Sequence, residues 1–252
     1  MTNAVIDCLM NHRSIRKFKS KPVEPEKLDL ILRAGVRAAT AGNLQHYSLI
    51  VVDDDEKKMA LEDDPTLESS TMIVAVVDTY RLKRWFELND APFYFNQACN
   101  LLIGFWDATI ALQNIVIAAE SLGLGTVYFG EVLSKDLGQI LGTPEYVFPA
   151  GLVAVGYPDE APDLRPRLPL EAVVHRNGYR VPGDDEIMAF YREKDQAWEH
   201  LPKEFRKDLL ARNIHNTAQR VTVGHYTEEF IAGESKAILE NLKKAGFKLT
   251  LD

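Results

Sequence analysis

Two cysteines, Cys8 and Cys99, are all that the 252 residues contain. They form no metal-spaced cluster and no disulfide framework, which excludes a cystine-stapled scaffold and fits a reducing compartment. Both read as ordinary buried thiols. Positive charge is also scarce: 29 Lys and Arg against 37 Asp and Glu leave a net charge of −8. Broad binding to nucleic acid or to an anionic membrane needs a basic surface, so any anion this chain holds is held locally. Long apolar runs are missing too. The window 108–119 is interrupted by Gln113 and Asn114, and residues 1–10 carry no signal-peptide core, so a cytoplasmic protein with no membrane partner is expected. The six histidines are dispersed without metal-ligand spacing, and His46, His175, His200, His215 and His225 read as structural or surface residues. No phosphate-binding G-x-x-x-x-G-K-[ST] loop occurs, and no internal repeat.

What is present is an ordinary globular composition, 46% hydrophobic and 26% charged, enough to bury a real core. Residues 4–11 form a short helix candidate. Pro25 is placed to open the next helix, with Leu28, Ile31, Leu32 and Gly35 on one face at i, i+3, i+4, i+7. Residues 48–53 and 72–78 are short β-branched runs of the kind that forms fully buried strands, and "TVYFG" and "GLVAVGYP" follow as a third and a fourth. Residues 93–122 are apolar on nearly every face, which predicts a helix buried in a core or against another subunit and stopped by Gly123. Further helices are expected from near Asp184, Pro202 and Thr227. The prolines of residues 157–169 make an extended connector, and since the composition does not change beyond it, one domain over residues 1–252 is expected. The fold class is α+β or α/β.

Four stretches carry chemistry. "HRSIRKF", residues 12–18, gathers Arg13, Arg16 and Lys17 in an acidic chain, either as a solvated face or as an anion site. In "DLRPRLP", Pro166 and Pro169 hold the backbone extended, so Arg165 and Arg167, two apart, project to one side. Paired guanidiniums suit a phosphate, and equally suit salt bridges to Asp159, Glu160 or Asp163. "ATAGNLQHY" offers Thr40, Asn43 and Gln45, uncharged hydrogen-bonding side chains in a loop that suits the amide-like edge of a heterocycle or plain helix capping. "LGLGTVYFG" is no dinucleotide fingerprint, because it follows a helix, but its backbone can approach a flat ligand beside Tyr128 and Phe129.

In this order and at these separations, "HRSIRKF", "ATAGNLQ", "ESLGLGTVYFG" and "DLRPRLPLEAVVH" closely resemble the FMN-dependent nitroreductase and flavin reductase family, most of all its group A, NADPH-preferring branch. The resemblance covers residues 4–247. It implies a nitroreductase-like α+β fold with a central mixed sheet flanked by helices, a homodimer with two FMN sites at its interface, and the apolar helix at the dimer's centre. It implies that Arg13, Ser14 and Arg16 bind the FMN phosphate and ribityl region and that Arg165 and Arg167 complete that pocket. It places His12 beside the flavin, Thr40, Asn43 and Gln45 near the ring, and Tyr128, Phe129 and Gly130 along the isoalloxazine. The activity implied is ping-pong hydride transfer from NADPH or NADH through flavin N5 to nitroaromatic, quinone or flavin acceptors. The chemistry belongs to the cofactor, so no catalytic side chain is expected. A flavin store or sensor of the same fold, without significant turnover, is the alternative. The chain departs from the branch in three places: an acidic "EDDPTLESS" where a glutamine is usual, Ser235 and Lys236 where an arginine is usual, and an aromatic-rich segment, residues 80–96, that either covers the active site or packs on the protein.

Overall fold

The computed structural model describes residues 3–64 and 71–249. They divide into two compact units, Met1–Asp163 with Ser235–Asp252, and Leu164–Glu234.

The first unit is built on four strands, β1 (Tyr47–Val52), β2 (Thr71–Asp78), β3 (Gly125–Phe129) and β4 (Val147–Gly156), in the order β1-β2-β4-β3. All neighbours pair antiparallel, and among the described residues parallel pairing is confined to isolated bridges such as Ser14 with Thr126. The α+β class therefore holds with a sheet less mixed than expected. Of the four runs read as strands, β2 and β4 are buried throughout, whereas β1 is half-buried along its middle because it lies at an edge. β4 also begins earlier than its apolar run, passing through Pro149. A shift of register between Ala75 and Val76 falls opposite that proline, where a missing N–H breaks no regular ladder.

Alternation along β2 shows why its sequence is apolar without a break. Ile73, Ala75 and Val77 face one core with helices α2 (Pro25–Val36) and α5 (Ala98–Ser121), while Met72, Val74 and Val76 face another with Ile15, Phe18, Leu61 and Leu137. A strand covered on both faces has no side left for polar residues. Pro25 opens α2 as expected, and Ile31 and Gly35 are buried. At Gly35 a Cβ would lie 2.7 Å from Ile115 Cγ1, so the glycine lets α2 close on α5. α5 starts later than the apolar run that announced it, because residues 93–96 are held outside the helix by ring contacts and by the Lys248 N–H on the Asn96 carbonyl (2.8 Å). Its end is as read, with Gly123 at φ +78. Over its 24 residues α5 is long and apolar enough to cross a membrane, yet Leu101, Ala108, Leu112 and Ile115 are buried in the core. α1 (Ala4–Met10) packs on α5. Short helices α3 (Asp55–Leu61), α4 (Tyr80–Glu87) and α6 (Leu137–Leu141) were not visible as periodic runs. Cys8 is half-buried and Cys99, in the first turn of α5, is exposed, which corrects the expectation of two buried thiols.

The second unit is helical: α7 (Leu170–Val173), α8 (Asp184–Glu199), α9 (Lys203–Ala211), α10 (Thr217–Thr222) and the start of α11 (Glu228–Lys244). α8 packs on α10, Leu209 and Ile214 are buried, and Glu186 steadies the head of α8 by accepting the Gly183 N–H at 3.0 Å.

Candidate functional site

Residues 12–18 lie along the outer edge of β3. Ser14 bridges to Thr126, the Ile15 N–H donates to the Thr126 carbonyl at 2.8 Å, and Ile15 and Phe18 sink into the second core. Burying those two turns Arg16 and Lys17 outward, where both are exposed. Glycine allows the close fit: a Cβ on Gly125 would stand 2.7 Å from Ile15, and one on Gly156 2.8 Å from Phe18. Glu160 accepts the N–H groups of Arg16 (2.5 Å) and Lys17 (3.2 Å), and Glu120 of α5 accepts from His12 Nδ1 (2.6 Å) and from the Thr126 hydroxyl (3.0 Å). Arg13 donates to the carbonyls of Asn11 (3.3 Å) and Pro162 (3.1 Å) and lines a cavity of about 490 Å³. Among the described residues the guanidinium of neither Arg13 nor Arg16 forms an ion pair, the Arg16 contact with Glu160 being through its backbone N–H, so both side chains keep a charge to offer.

The bridge to Thr126 brings His12, Arg13, Ser14 and Arg16 to the strand that carries Tyr128 and Phe129. Tyr128 is part-exposed and donates to Gln113 at 3.3 Å. Burial, and then the charge of Glu120, push its phenol above the ordinary 10.0, so it stays a donor at neutral pH. Phe129 packs on the second core, and at Gly130 nothing stands within 4 Å of where a Cβ would be.

Thr40, Asn43 and Gln45 lie elsewhere, in a loop tied to the other half of α5. Its anchor is Asp107, 3% exposed, which accepts from the Thr40 hydroxyl (2.5 Å), the N–H groups of Ala41 (3.0 Å) and His46 (3.2 Å), and His46 Nδ1 (3.0 Å). Burial pushes that carboxyl up, and the bonds from Thr40, His46 and Ala41 outweigh it, holding the group below its ordinary 3.8. Between the anchored ends the backbone is left-handed at Gly42 (φ 57), Asn43 (φ 56) and Gln45 (φ 51). An L side chain in that region costs roughly 1–2 kcal/mol, least for asparagine, and persists only where the surroundings impose it. Arg81 of α4 adds to that restraint by donating to the carbonyls of Gln45 and Tyr47. The aromatic segment 80–96 packs here: Phe95 stacks on His46 with ring centroids 5.8 Å apart and meets Phe86 at 5.1 Å.

Asp107 and Glu120 stand roughly 20 Å apart along the axis of α5, so the uncharged loop is fastened near the middle of the helix and the basic segment near its end. Neither carboxylate was singled out from the sequence. The signal was there in Asp107, the single charged residue between Asp90 and Glu120.

Arg165 and Arg167 fall in the second unit, both exposed and in no ion pair among the described residues. Arg167 donates to the Arg165 carbonyl at 3.1 Å. Lys236 is exposed and stands 4.0 Å from Glu240. Of the acidic stretch that replaces the branch's glutamine, residues 65–70 lie outside the described residues. The described residues hold no cluster of His, Cys, Asp and Glu able to bind a metal.

Comparison with known proteins adds to this geometry. Residues 9–157 match the model of the Nitroreductase family. The chain is similar to an NADPH-dependent oxidoreductase of Staphylococcus haemolyticus, 33% identical with 98% of each chain covered. It is similar to an FMN reductase (NADPH) of Bacillus subtilis, 32% identical over 81% of this chain and 92% of that one. The structure of an NADPH:FMN oxidoreductase from Vibrio harveyi in complex with NAD+ superimposes with a TM-score of 0.78 at 29% identity, covering 97% of this chain and 99% of that one.

Proposed function

The chain belongs to the nitroreductase family, and from that premise we infer that it is an FMN-dependent NAD(P)H oxidoreductase of the nitroreductase and flavin reductase type. Bound FMN would supply the redox chemistry, hydride transfer between NAD(P)H and a second substrate. The protein supplies binding, orientation and charge, and the residues fit those tasks. Arg13 and Arg16, whose guanidiniums form no ion pair among the described residues, would hold the phosphate with Ser14, Arg16 being turned outward by the buried Ile15 and Phe18, and Arg165 with Arg167 of the second unit would offer an anion two further guanidiniums. The observation that carries this reading is that pair of unneutralised arginines on a rigid edge in a chain of net charge −8. Asn43 and Gln45 in the braced loop would meet the polar rim of the ring, and Tyr128, Phe129 and Gly130 its face, with His12 beside it. Arg16 or Arg167 would favour the negative charge that builds up on the reduced ring.

Residues 1–252 act as one functional domain in this reading. Leu102, Trp106 and Ile110 form an exposed apolar stripe on α5, and Val5, Leu9 and Met10 expose more on α1. They fit the face of a homodimer that completes two flavin sites, since the two halves of the site are spread along α5. The acceptors are small flat molecules, nitroaromatics, quinones or free flavin, read by shape on a stacking platform. NADPH is the donor on the naming of the relatives, and the cytoplasm supplies it.

An absorbance spectrum before and after anaerobic NADPH tests the reading. Yellow protein that bleaches is the expected result. Yellow protein that stays yellow with both NADPH and NADH would favour a flavin store, and colourless protein that takes up no FMN would overturn the assignment.

A further inference from the structure

We propose that Thr40 and Asp107 form an internal brace that shapes the flavin-facing loop, so that Thr40, placed at the ring by its position in the chain, acts as a positioning residue and not as a ligand to the cofactor. The proposal deepens the flavin reading and rests on it.

The hydroxyl of Thr40 is already committed. Its proton goes to Asp107 at 2.5 Å, and its oxygen accepts the Gln45 N–H at 2.9 Å. A hydroxyl has one proton to give, so Thr40 has none left for a carbonyl or ring nitrogen of a ligand. Asp107 is likewise turned wholly inward, with four donors from Thr40, Ala41 and His46 on a carboxylate that is 3% exposed. Charge-assisted bonds of this kind are the stronger sort, and all four come from within the loop or its exit at His46. They close a ring of contacts around Gly42, Asn43 and Gln45, the three residues of this loop with left-handed backbone. Such a conformation does not persist by itself, and the brace supplies what holds it. Arg81 fixes the outer side of the same turn through the Gln45 carbonyl. The exposed Asn43 side chain and the Gln45 amide, whose own bonds to the Val36 carbonyl and the Tyr47 hydroxyl are long at 3.4 and 3.5 Å, are what the braced loop has to present.

A double-mutant cycle on FMN affinity separates a brace from a ligand contact. Apoprotein is prepared from wild type, Thr40→Val, Asp107→Asn and the double variant, and FMN is titrated by quenching of its fluorescence. Visible-range circular dichroism of the bound flavin and the melting temperature are recorded for each. Leu137→Ala, a buried truncation outside the loop, controls for general destabilisation.

Each single variant should weaken FMN about tenfold or more, the scale of losing a hydrogen bond to a charged group, and should change the flavin's dichroic band. The double variant should lose no more than the worse single one, because one brace is broken either way. Leu137→Ala should lower the melting temperature and leave affinity and dichroism as they are. Losses that multiply in the double variant would make Thr40 an independent contact and overturn the proposal. So would single variants that bind FMN as wild type does with an unchanged band. Should Asp107→Asn fail to fold, Thr40→Val decides alone: an unchanged flavin band overturns the brace. Wild-type apoprotein that takes up no FMN would sink the flavin reading and the proposal together, a result distinct from any of these.

Discussion

Residues 40–46 and residues 12–18 are each fastened to α5 by a carboxylate, Asp107 for the first and Glu120 for the second, but the two fastenings differ in depth and in what they hold. Asp107 is buried and gathers four donors around a backbone that is left-handed at three positions. Glu120, with a side chain 16% exposed, gathers two donors beside a segment that lies along a strand edge in ordinary extended geometry. A regular edge is held by ladder bonds and by burial of Ile15 and Phe18, and its carboxylate is an addition. An irregular loop has no ladder, and its carboxylate takes the ladder's place.

The comparison breaks most visibly if the acids are removed. Asp107→Ala strands several buried donors and should cost about 3 kcal/mol or more in urea unfolding, whereas Glu120→Ala should cost about 1 kcal/mol. Equal losses would mean the two fastenings are alike. The acid limb of stability sharpens the same point. The Asp107 carboxyl lies below its ordinary 3.8 in the folded chain, so its contribution is present above that pH and fades as pH falls through the lower folded value. Asp107→Asn should therefore lose its deficit relative to wild type below that range, and a deficit constant from pH 7 to pH 2 would show that ionisation is not what matters.

On the basic side, Arg13→Ala and Arg167→Ala should each weaken FMN by roughly 2 kcal/mol with little change in melting temperature. Full flavin occupancy after dialysis of either variant would remove that arginine from the site. The smallest effect concerns backbone alone. Gln45→Val puts a β-branched side chain at φ 51 and should cost about 1–2 kcal/mol, while Lys17→Val on the extended segment should stay within about 0.5 kcal/mol. If the two substitutions cost the same in thermal melts, the loop is not strained.

Much of this was legible in the residues. Pro25 opened α2, β-branched runs marked the strands, and Gly123 ended α5. Other features were not. β1 reads as apolar as β2, and only its place at the sheet's edge leaves it half-buried. β4 begins before the apolar run that announced it, because the register shift opposite Pro149 lets the strand pass through that residue. Residues 93–97 share the apolar character of α5 but are drawn off by Tyr146 and Lys248, partners about 50 and 150 residues away in the chain.

By itself the sequence determined that a two-faced apolar core would form, that an acidic chain would gather its arginines at a few points, and which family pattern those points follow. These are local matters of period, propensity and spacing, or of order along the chain. Only the tertiary structure decided that Thr40 turns its hydroxyl inward and that Asp107 is the residue on which the loop depends. A left-handed backbone and a buried charge are both unfavourable taken singly, and each is stable here because the other is near, a pairing between positions 67 apart that no local pattern records.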